Sequence, residues 1–168
     1  RSELNNSGRL SLISSRSPGL RVKGALALER RGARRIAAPM PIGDEGTTAW
    51  LRAGANAFGV ADTTVDRVVA PARRRCQVAL SRIRSELEGL RLFLFPDSQL
   101  EIPLARFLHR ELGMQLTEVG TPYLHNEHLA DELAWLPADI TVSEGQDVER
   151  QLDRMHAAEP DLVVCGLG

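Results

Sequence analysis

From Gly89 to its last residue, the chain alternates short apolar runs with segments of helical periodicity. The pattern predicts strands at 91–95, 115–119, within 139–147 and within 160–168, and helices at 100–112, 128–136 and 148–158. Strands separated by helices of this length form a parallel sheet joined by right-handed crossovers. The first run is largely apolar, as expected of a strand that is covered on both faces. The predicted class is therefore α/β, with a Rossmann-like parallel sheet and flanking helices.

The rest of the chain is organised around this unit. Residues 1–22 are rich in Ser, Asn, Gly and Arg and have no sustained period, so a disordered or non-native start is expected. The expected segments after it are 23–61, the end of a preceding Rossmann-like domain; 62–89, a connecting amphipathic helix; and 90–168, an incomplete Rossmann-like domain. Because the chain opens on Arg1 and ends within a βα turn, we expect it to be a fragment of a longer protein.

Helix signals in the upstream segments come from capping residues and glycines. A helical pattern ends at residue 31, and a short strand is predicted at 34–38. The next helix is expected to be capped by Thr47 or Thr48. Asp62 is expected to cap the long amphipathic helix, which runs to about Leu87. Pro71 is expected to kink or split that helix.

Composition excludes several classes of function. Hydrophobic residues make up 43% and charged residues 26%, which is a globular balance, and the net charge of −1 gives no electrostatic footprint for nucleic acid. No window has the roughly 18 uninterrupted apolar residues that predict a membrane span. Cys76 and Cys165 are far apart and outside any CxxC motif. They are expected to be buried free thiols in a cytoplasmic protein.

A polar group follows the first strand of the alternating region. Asp97, Ser98 and Gln99 come directly after it, and Glu101 lies at the start of the next helix. Ligands of open α/β sheets bind at the carboxyl ends of strands, so these four residues are candidates for a ligand cleft. The plainer interpretation, favoured on general grounds, is that Asp97 or Ser98 caps the helix and Glu101 completes a capping box. Both interpretations can hold, because a helix N-terminus aimed into a cleft is also a polar site.

Other polar turns give weaker signals. In the turn at 143–147, Asp147 is placed to cap the following helix. In the loop at 120–125, Tyr123 and His125 could line a pocket, but a solvated loop with one packed aromatic side chain is favoured. The four histidines do not form a metal-binding set, and no Ser-His-Asp or HExxH pattern is present. The residues alone therefore predict no catalytic residue and no metal site in this segment.

Three stretches carry a resemblance to a known family: "FPDSQLEIPLARFLHRELGMQLTEVGTPYLH", "SEGQDVERQLDR" and "PDLVVCGLG". They resemble the N subunits of light-independent (dark-operative) protochlorophyllide reductases, which belong to the nitrogenase-like family. The upstream "RRGARRIAAPMPIGDEGTTAWLRAGANAFGV" resembles the same subunit, so the resemblance runs from about residue 25 to residue 168. The segments "FPDSQLE" and "SEGQDVERQLDR" are specific to this subunit. The general plan of strand, polar turn and helix is shared with nitrogenase and its assembly proteins.

The resemblance implies part of an oxidoreductase of chlorophyll and bacteriochlorophyll biosynthesis in a phototrophic bacterium. In that family the N and B subunits form a heterotetramer, and an ATP-dependent iron–sulfur L protein donates electrons one at a time. The electrons pass through a [4Fe-4S] cluster at the N–B interface and reduce ring D of protochlorophyllide to give chlorophyllide a. The family's N subunit supplies three cluster cysteines from its N-terminal half. Neither Cys76 nor Cys165 falls in such a motif, so this chain alone is expected to bind no cluster and to be inactive.

The resemblance also implies a location for the strand-end residues. Asp97, Ser98, Gln99 and Glu101 are expected to face the cleft between the subunit's domains, near the substrate cavity. The helix start at Thr47 is expected to point towards the same cleft.

Two alternatives stay open. One is another nitrogenase-like subunit, such as a chlorophyllide reductase or a cofactor-assembly scaffold, although "SEGQDVERQLDR" argues against it. The other is a non-catalytic Rossmann-like binding module, which rests on fold alone. Three cysteines in the upstream gene sequence, and neighbouring genes for the B and L proteins, would favour the reductase.

Overall fold

The computed structural model describes residues 11–13, 27–124, 126–145 and 147–166 of the 168-residue chain. Residues 27–30 are helical. The remaining elements are the strands β1 Ser11–Ile13, β2 Arg34–Ile36, β3 Arg91–Leu94, β4 Gln115–Thr121, β5 Thr141–Glu144 and β6 Leu162–Val164, and the helices α1 Gly43–Ala57, α2 Asp62–Leu87, α3 Glu101–Arg110, α4 Asn126–Leu133 and α5 Val148–Ala158.

Four strands form a parallel sheet in the order β5–β4–β3–β6. The chain builds outward from β3 to β5 and then crosses back to add β6 on the other side of β3. The register pairs Leu92 of β3 with Leu116 of β4 and with Leu162 of β6. This sheet confirms the predicted α/β class. Its order reverses between β3 and β6, which is the kind of switch point where open α/β sheets bind ligands.

The centre of the core is β3, as the apolar run predicted. Leu92, Phe93 and Leu94 are each at most 1% exposed. Fully burying a side chain of this kind stabilises the fold by roughly 1.5–3 kcal/mol. The buried cluster built on this strand contains Leu92, Leu94, Ile102, Ala105, Met114, Val119 and Leu136.

Helices cover both faces of the sheet. Glu118 and Val119 are neighbours on β4, so their side chains point to opposite faces. Val119 packs in the core cluster with residues of α3. The carboxylate of Glu118 accepts two hydrogen bonds from Arg154 of α5, at 2.7 and 2.8 Å. It follows that α3 and α5 lie on opposite faces.

The last strand, β6, is an exposed edge strand. An apolar run of this kind would predict a buried strand, but Leu162, Val163 and Val164 are 37–42% exposed. The sequence shows that this run is apolar but does not show which strand of a sheet lies at its edge. The expectation that both thiols are buried is also wrong, because Cys165 is exposed and Cys76 is half-buried.

The long helix α2 is continuous through Pro71. The predicted end at Leu87 is confirmed, whereas the expectation that Pro71 splits the helix is wrong, because the loss of one hydrogen bond does not interrupt a helix of 26 residues. The N-cap is Ala61, so Asp62 is the first helical residue and does not cap the helix. Val65 is buried in this helix but Val68 is 69% exposed, so much of the predicted apolar stripe is uncovered.

The first helix of the described chain, α1, begins earlier than predicted. It starts at Gly43, which has a φ of +74°, and its N-cap residue Ile42 makes no side-chain capping bond. Thr47 and Thr48 therefore lie inside the helix, and the expectation that either one caps it is wrong.

A distant glutamate does the capping instead. Glu111 accepts hydrogen bonds from the backbone N–H groups of Asp44, at 2.6 Å, and Glu45, at 3.2 Å. Burial raises the pKa of Glu111 even though these two bonds oppose the shift. Local sequence could not reveal this cap, since Asp44 and Glu111 are 67 positions apart.

A buried ion pair joins the same loop to the sheet unit. Arg106 is fully buried and its Nε donates to Glu132, at 2.7 Å. Its Nη2 donates to the carbonyl oxygens of Met40 and Ile42, and Glu132 accepts from the Met40 N–H at 2.6 Å. The guanidinium also lies 5.3 Å from the ring centre of Trp135. The upstream segment is therefore fixed to the sheet unit by charge-assisted hydrogen bonds.

Smaller differences concern boundaries. β1, at Ser11–Ile13, pairs in parallel with β2, and the other residues of the segment 1–22 lie outside the described part. β2 confirms the predicted strand at 34–38 but is two residues shorter. α4 begins at Asn126, two residues before the predicted start.

Candidate functional site

Two cavities open at the carboxyl ends of the strands. The larger, about 410 Å³, is lined by Asp97, Ser98, Gln99, Pro122, Tyr123 and Gly145. The smaller, about 210 Å³, is lined by Phe95, Asp97, Ser98, Leu100, Glu101, Leu104, Val164, Cys165 and Gly166. The loop that joins β3 to α3 separates them. We refer to the two together as the strand-end cleft.

The smaller cavity lies at the switch point of the sheet. Its walls come from the ends of the neighbouring strands β3 and β6. The N–H of Phe95, the residue after β3, donates to the carbonyl of Val164, the last residue of β6, at 2.8 Å, so the two strand ends are held together beside the cavity. The larger cavity is formed by the turns after β3, β4 and β5.

Glu101 organises the loop between the cavities. Its Oε1 atom accepts from the backbone N–H groups of Asp97, at 2.7 Å, and Ser98, at 2.5 Å. These bonds hold the loop but do not form the predicted capping box, because Glu101 is the first residue of α3 and a capping box needs a carboxylate at the third helical position. The predicted caps at Asp97 or Ser98 are also wrong, because the N-cap of α3 is Leu100 and has no side-chain capping bond. Ser98 instead accepts from the N–H of Leu100, at 3.3 Å.

The loop leaves acceptor oxygens without donors. Glu101 is 4% exposed, and its second oxygen, Oε2, is buried and has no hydrogen-bond partner among the described residues. The Oε1 of Gln99 is also buried without a described partner, and Gln99 holds the unusual φ of +77°. An unsatisfied buried polar atom costs about 1–3 kcal/mol, so two of them in one loop are a marked feature.

Close packing at the cleft depends on two glycines. A Cβ on Gly166 would lie 1.9 Å from the carboxyl carbon of Asp97, and one on Gly120 would lie 2.6 Å from the Cδ of Pro96. The absence of these side chains lets the loop after β3 lie directly against β4 and the end of β6.

The structure brings together only part of the predicted set. Asp97, Ser98 and Gln99 line the larger cavity, while Glu101 lines the smaller one. Thr47 lines neither of them: its helix begins beside Glu111, ten residues beyond Glu101, which is about 15 Å along α3. Thr47 lies inside α1 and does not begin it, and its expected place near the cleft between the subunit's domains stays a prediction.

The turn after β5 has a mainly structural role in the described chain. Asp147 caps α5 by accepting from the N–H of Arg150 at 3.2 Å, as predicted. Ser143 donates to Glu118 at 2.7 Å, and Glu144 accepts from the N–H of Leu124 at 2.9 Å. Gln146 and His125 lie outside the described residues.

Two carboxylates that pair with arginines have a lowered pKa: Glu118 on β4 and Glu45 on α1. Burial alone would raise the pKa of Glu118, but the hydrogen bonds from Arg154 and Ser143 outweigh it and lower the pKa. The pKa of Glu45 is also lowered, mainly by the hydrogen bond from Arg110. Both carboxylates are therefore held in their charged form.

The described residues do not fit an iron–sulfur cluster. They contain no group of three or more His, Cys, Asp or Glu side chains that could hold a metal ion. A [4Fe-4S] cluster takes four cysteine thiolates in its usual ligation. The chain has two cysteines, one on α2 and one beyond β6, and burial raises the pKa of Cys76, which disfavours its thiolate. In the described part of the chain, no helix is long and apolar enough to cross a bilayer.

The sheet order, the flanking helices and the strand-end cleft define a Rossmann-like α/β protein. The chain belongs to the family described as "Nitrogenase component 1 type Oxidoreductase", which matches residues 3–167.

Within this family, the chain is most informatively compared with curated relatives that share one name. It is 67% identical over 144 residues to "Light-independent protochlorophyllide reductase subunit N" of Rhodopseudomonas palustris, and 68% identical over 144 residues to the subunit of that name from Rhodospirillum rubrum. The match covers 86% of this chain in both cases, but 34% and 33% of the relatives. The chain thus spans about a third of the length of the curated relatives it matches.

Several residues of the cleft could not be named from local sequence. Pro122, Gly145 and Gly166 reach the cleft from turns that are far from Asp97 along the chain. Each of these turns follows a predicted strand, and this position was the only sign in the sequence that its residues could reach a ligand site. Which turns lie next to one another depends on the order of the strands in the sheet, which the sequence does not show.

Proposed function

We propose that this chain is part of the catalytic component, formed by the N and B subunits, of a light-independent protochlorophyllide reductase. The proposal assigns to the complete complex the reduction of ring D of protochlorophyllide to chlorophyllide a in the cytoplasm of a phototrophic bacterium. The observation that carries it is the 65–68% identity, over 142–144 residues, to relatives named as subunit N.

In this proposal the chain supplies scaffold and cleft, and the redox chemistry lies elsewhere. The described residues offer no cluster ligands, so the [4Fe-4S] cysteines are assigned to parts of the N and B subunits outside this segment. The ATP-dependent L protein is the proposed electron donor. The chain by itself is expected to be inactive.

Transplanting the segment would test the proposal. The matching 144 residues of the Rhodospirillum rubrum subunit N would be replaced by those of this chain and purified with the B subunit. With L protein, ATP and a reductant, the chimera should reduce protochlorophyllide at a rate similar to that of the parent. The complex without L protein is the control. A chimera that assembles but does not turn over protochlorophyllide, or that prefers chlorophyllide, would contradict the proposal.

The strand-end cleft is proposed to lie near the substrate cavity of the complex. The support is the position of Asp97, Ser98 and Gln99 at the mouth of a cavity beyond β3. Ser98→Ala and Gln99→Ala in the chimera should weaken protochlorophyllide binding, whereas Glu88→Gln on the exposed end of α2 should not. If KM and kcat are unchanged in both cleft variants, Ser98 and Gln99 do not contribute to substrate binding and their role is structural.

A further inference from the structure

The long helix α2 is covered by the described residues mainly on one side. Arg52 of α1 forms an ion pair with Asp66 of α2. The carboxylate of Asp44, also on α1, accepts hydrogen bonds from Arg73, at 2.9 Å, and from Gln77, at 3.0 Å. These contacts fix which side of α2 faces α1, the described element against which it mainly packs.

A second side of α2 is apolar and exposed. Its residues recur after four, seven and four positions, which places them along one line of the helix, roughly a quarter turn from the side that faces α1. We call this line, about 22 Å long, the outer stripe; it consists of Val68, Ala72, Ala79 and Ile83. All four are exposed, Val68 to 69% and Ile83 to 47%. A helix of 26 residues owes most of its stability to packing of its apolar face, so the outer stripe is a surface for a partner.

Arginines lie along one border of the outer stripe. Arg75 and Arg82 are exposed and seven positions apart, so they lie almost directly above one another on the border that faces away from α1. The described ion pairs of α2 use Arg73 and Arg84 instead. Charged residues seven positions apart beside an apolar stripe select the partner in paired helices. The complement of this border is therefore a helix that presents carboxylates at the same spacing.

The shape of the outer stripe favours a helix as its occupant. Ala72 and Ala79 lie in the middle of the stripe, and Val68 and Ile83 lie at its ends. The small middle residues let the axis of a second helix approach closely, and the larger end residues pack between the side chains of that helix. A lipid surface fits less well, because helices that lie in membranes insert large side chains such as Trp, Phe and Leu, whereas the middle of this stripe is alanine.

The length of the relatives points to the source of that helix. This chain spans 34% of subunit N of Rhodopseudomonas palustris. Most of a complete subunit therefore lies outside the segment, and its residues are held at a high effective concentration near α2 because they belong to the same chain. A helix of the same subunit is thus favoured over one supplied by a separate molecule.

We propose that the outer stripe docks an amphipathic helix from the remainder of subunit N, and that acidic side chains of this helix pair with Arg75 and Arg82. The source of the helix rests on the proposed function, since it takes the named relatives as the guide to the complete subunit. The docking does not depend on the reductase reaction. Its tests measure contacts and not turnover, so either proposal can fail alone.

Carbodiimide coupling identifies the partner. In the chimera assembled with the B subunit, Arg75→Lys keeps the charge and places an amine where a carboxylate is expected, and carbodiimide joins the two as an amide only when they touch. Lys23 is the one lysine of this chain, so the new amide is readily assigned by mass spectrometry. We expect a cross-link to an acidic helix of subunit N outside this segment.

The control for this coupling is Arg74→Lys, at the neighbouring exposed position, which faces away from the outer stripe. It should not give the same cross-link. A cross-link from Arg75→Lys to the B subunit or to a second copy of subunit N would overturn the proposal, as would the absence of any cross-link.

Thiol labelling tests the position of the docked helix independently. Ala79→Cys lies in the middle of the outer stripe and Ser81→Cys on the opposite side of α2, both in a Cys76→Ala background so that α2 carries one thiol. We expect a maleimide to label Ala79→Cys at least about tenfold more slowly in the assembled chimera than in the 168-residue chain, and Ser81→Cys at similar rates in both. Equal rates for Ala79→Cys in the two proteins, or equal slowing at both positions, would refute docking at the outer stripe. A chimera that does not assemble with the B subunit would contradict the proposed function, and labelling of the chimeric subunit alone would then decide the docking.

Discussion

At the scale of single residues, buried charge fixes how the upstream segment meets the sheet. Arg106 is fully buried and interacts with Glu132 and with backbone carbonyls of the loop before α1. Gly46 is required beside it, because a Cβ there would lie 2.3 Å from Nη2 of Arg106. A buried pair of this kind adds little net stability when complete, but the loss of one partner is costly.

Glu132→Gln should therefore destabilise the chain strongly. The substitution removes the carboxylate that lies 2.7 Å from the buried Arg106 Nε. Among the described ion pairs, Arg106 then keeps only Glu111, whose Oε1 lies 3.9 Å from Nη1. We expect a loss of roughly 3 kcal/mol in the free energy of unfolding, measured by urea denaturation. Glu88→Gln, which breaks the exposed pair with Arg84, should have little effect. Similar losses in both variants would contradict a special role of the buried pair.

The pH dependence of stability should depend on Glu118. Because its folded-state pKa is lowered from the ordinary value of 4.5, its contribution is complete above that value and is lost as the pH falls through the folded-state pKa. Glu118→Gln should lower stability near neutral pH and flatten the decline in acid, measured by urea unfolding across pH. An unchanged acid slope would show that Glu118 is not a source of the decline.

At the scale of elements, α2 is a continuous helix that contains a proline in its interior. Pro71 removes one backbone hydrogen bond, yet the helix continues from Asp62 to Leu87. The missing bond costs stability even though it does not end the helix.

Pro71→Ala should stabilise the chain by about 2 kcal/mol, because it restores a helical hydrogen bond at an exposed position. The measurement is urea unfolding followed by helical circular dichroism. Ala72→Pro is the matched control, since it places a second proline at the next exposed position, and it should destabilise the helix by about 3 kcal/mol. A neutral or destabilising Pro71→Ala would mean that the proline is favoured at this site.

At the scale of the whole molecule, the sheet has one apolar edge. β6 presents Leu162, Val163 and Val164 at an edge position, each more than a third exposed. Edge strands with exposed apolar side chains readily pair with other chains.

Val163→Lys should reduce self-association of the chain without reducing its stability, because the side chain is 42% exposed. Light scattering and size-exclusion chromatography over a range of concentrations would measure it. Thr141→Lys, on the polar edge strand β5, should leave association unchanged. If both lysines act equally, net charge rather than the β6 edge would be responsible.

Residues of the candidate site could be predicted from the sequence only where neighbouring positions in the chain contribute to it. Asp97, Ser98 and Gln99 were predicted from their position after an apolar run, and they line a cavity. The role of Glu111 as the cap of α1 could not be predicted, because it depends on two segments meeting across 67 positions. The expected cap at Thr47 or Thr48 is wrong for the same reason.

The sequence by itself determined the succession of strands and helices from Gly89 onward, the apolar centre at β3 and the cap at Asp147. These features follow from side-chain periodicity and from hydrogen bonds within a few residues of one another. Only the tertiary structure decided the order β5–β4–β3–β6, the exposure of β6 and the burial of Glu101 beside a cavity. The physical reason is that strand neighbours, edges and desolvated atoms arise from contacts between distant parts of the chain, which no local pattern encodes.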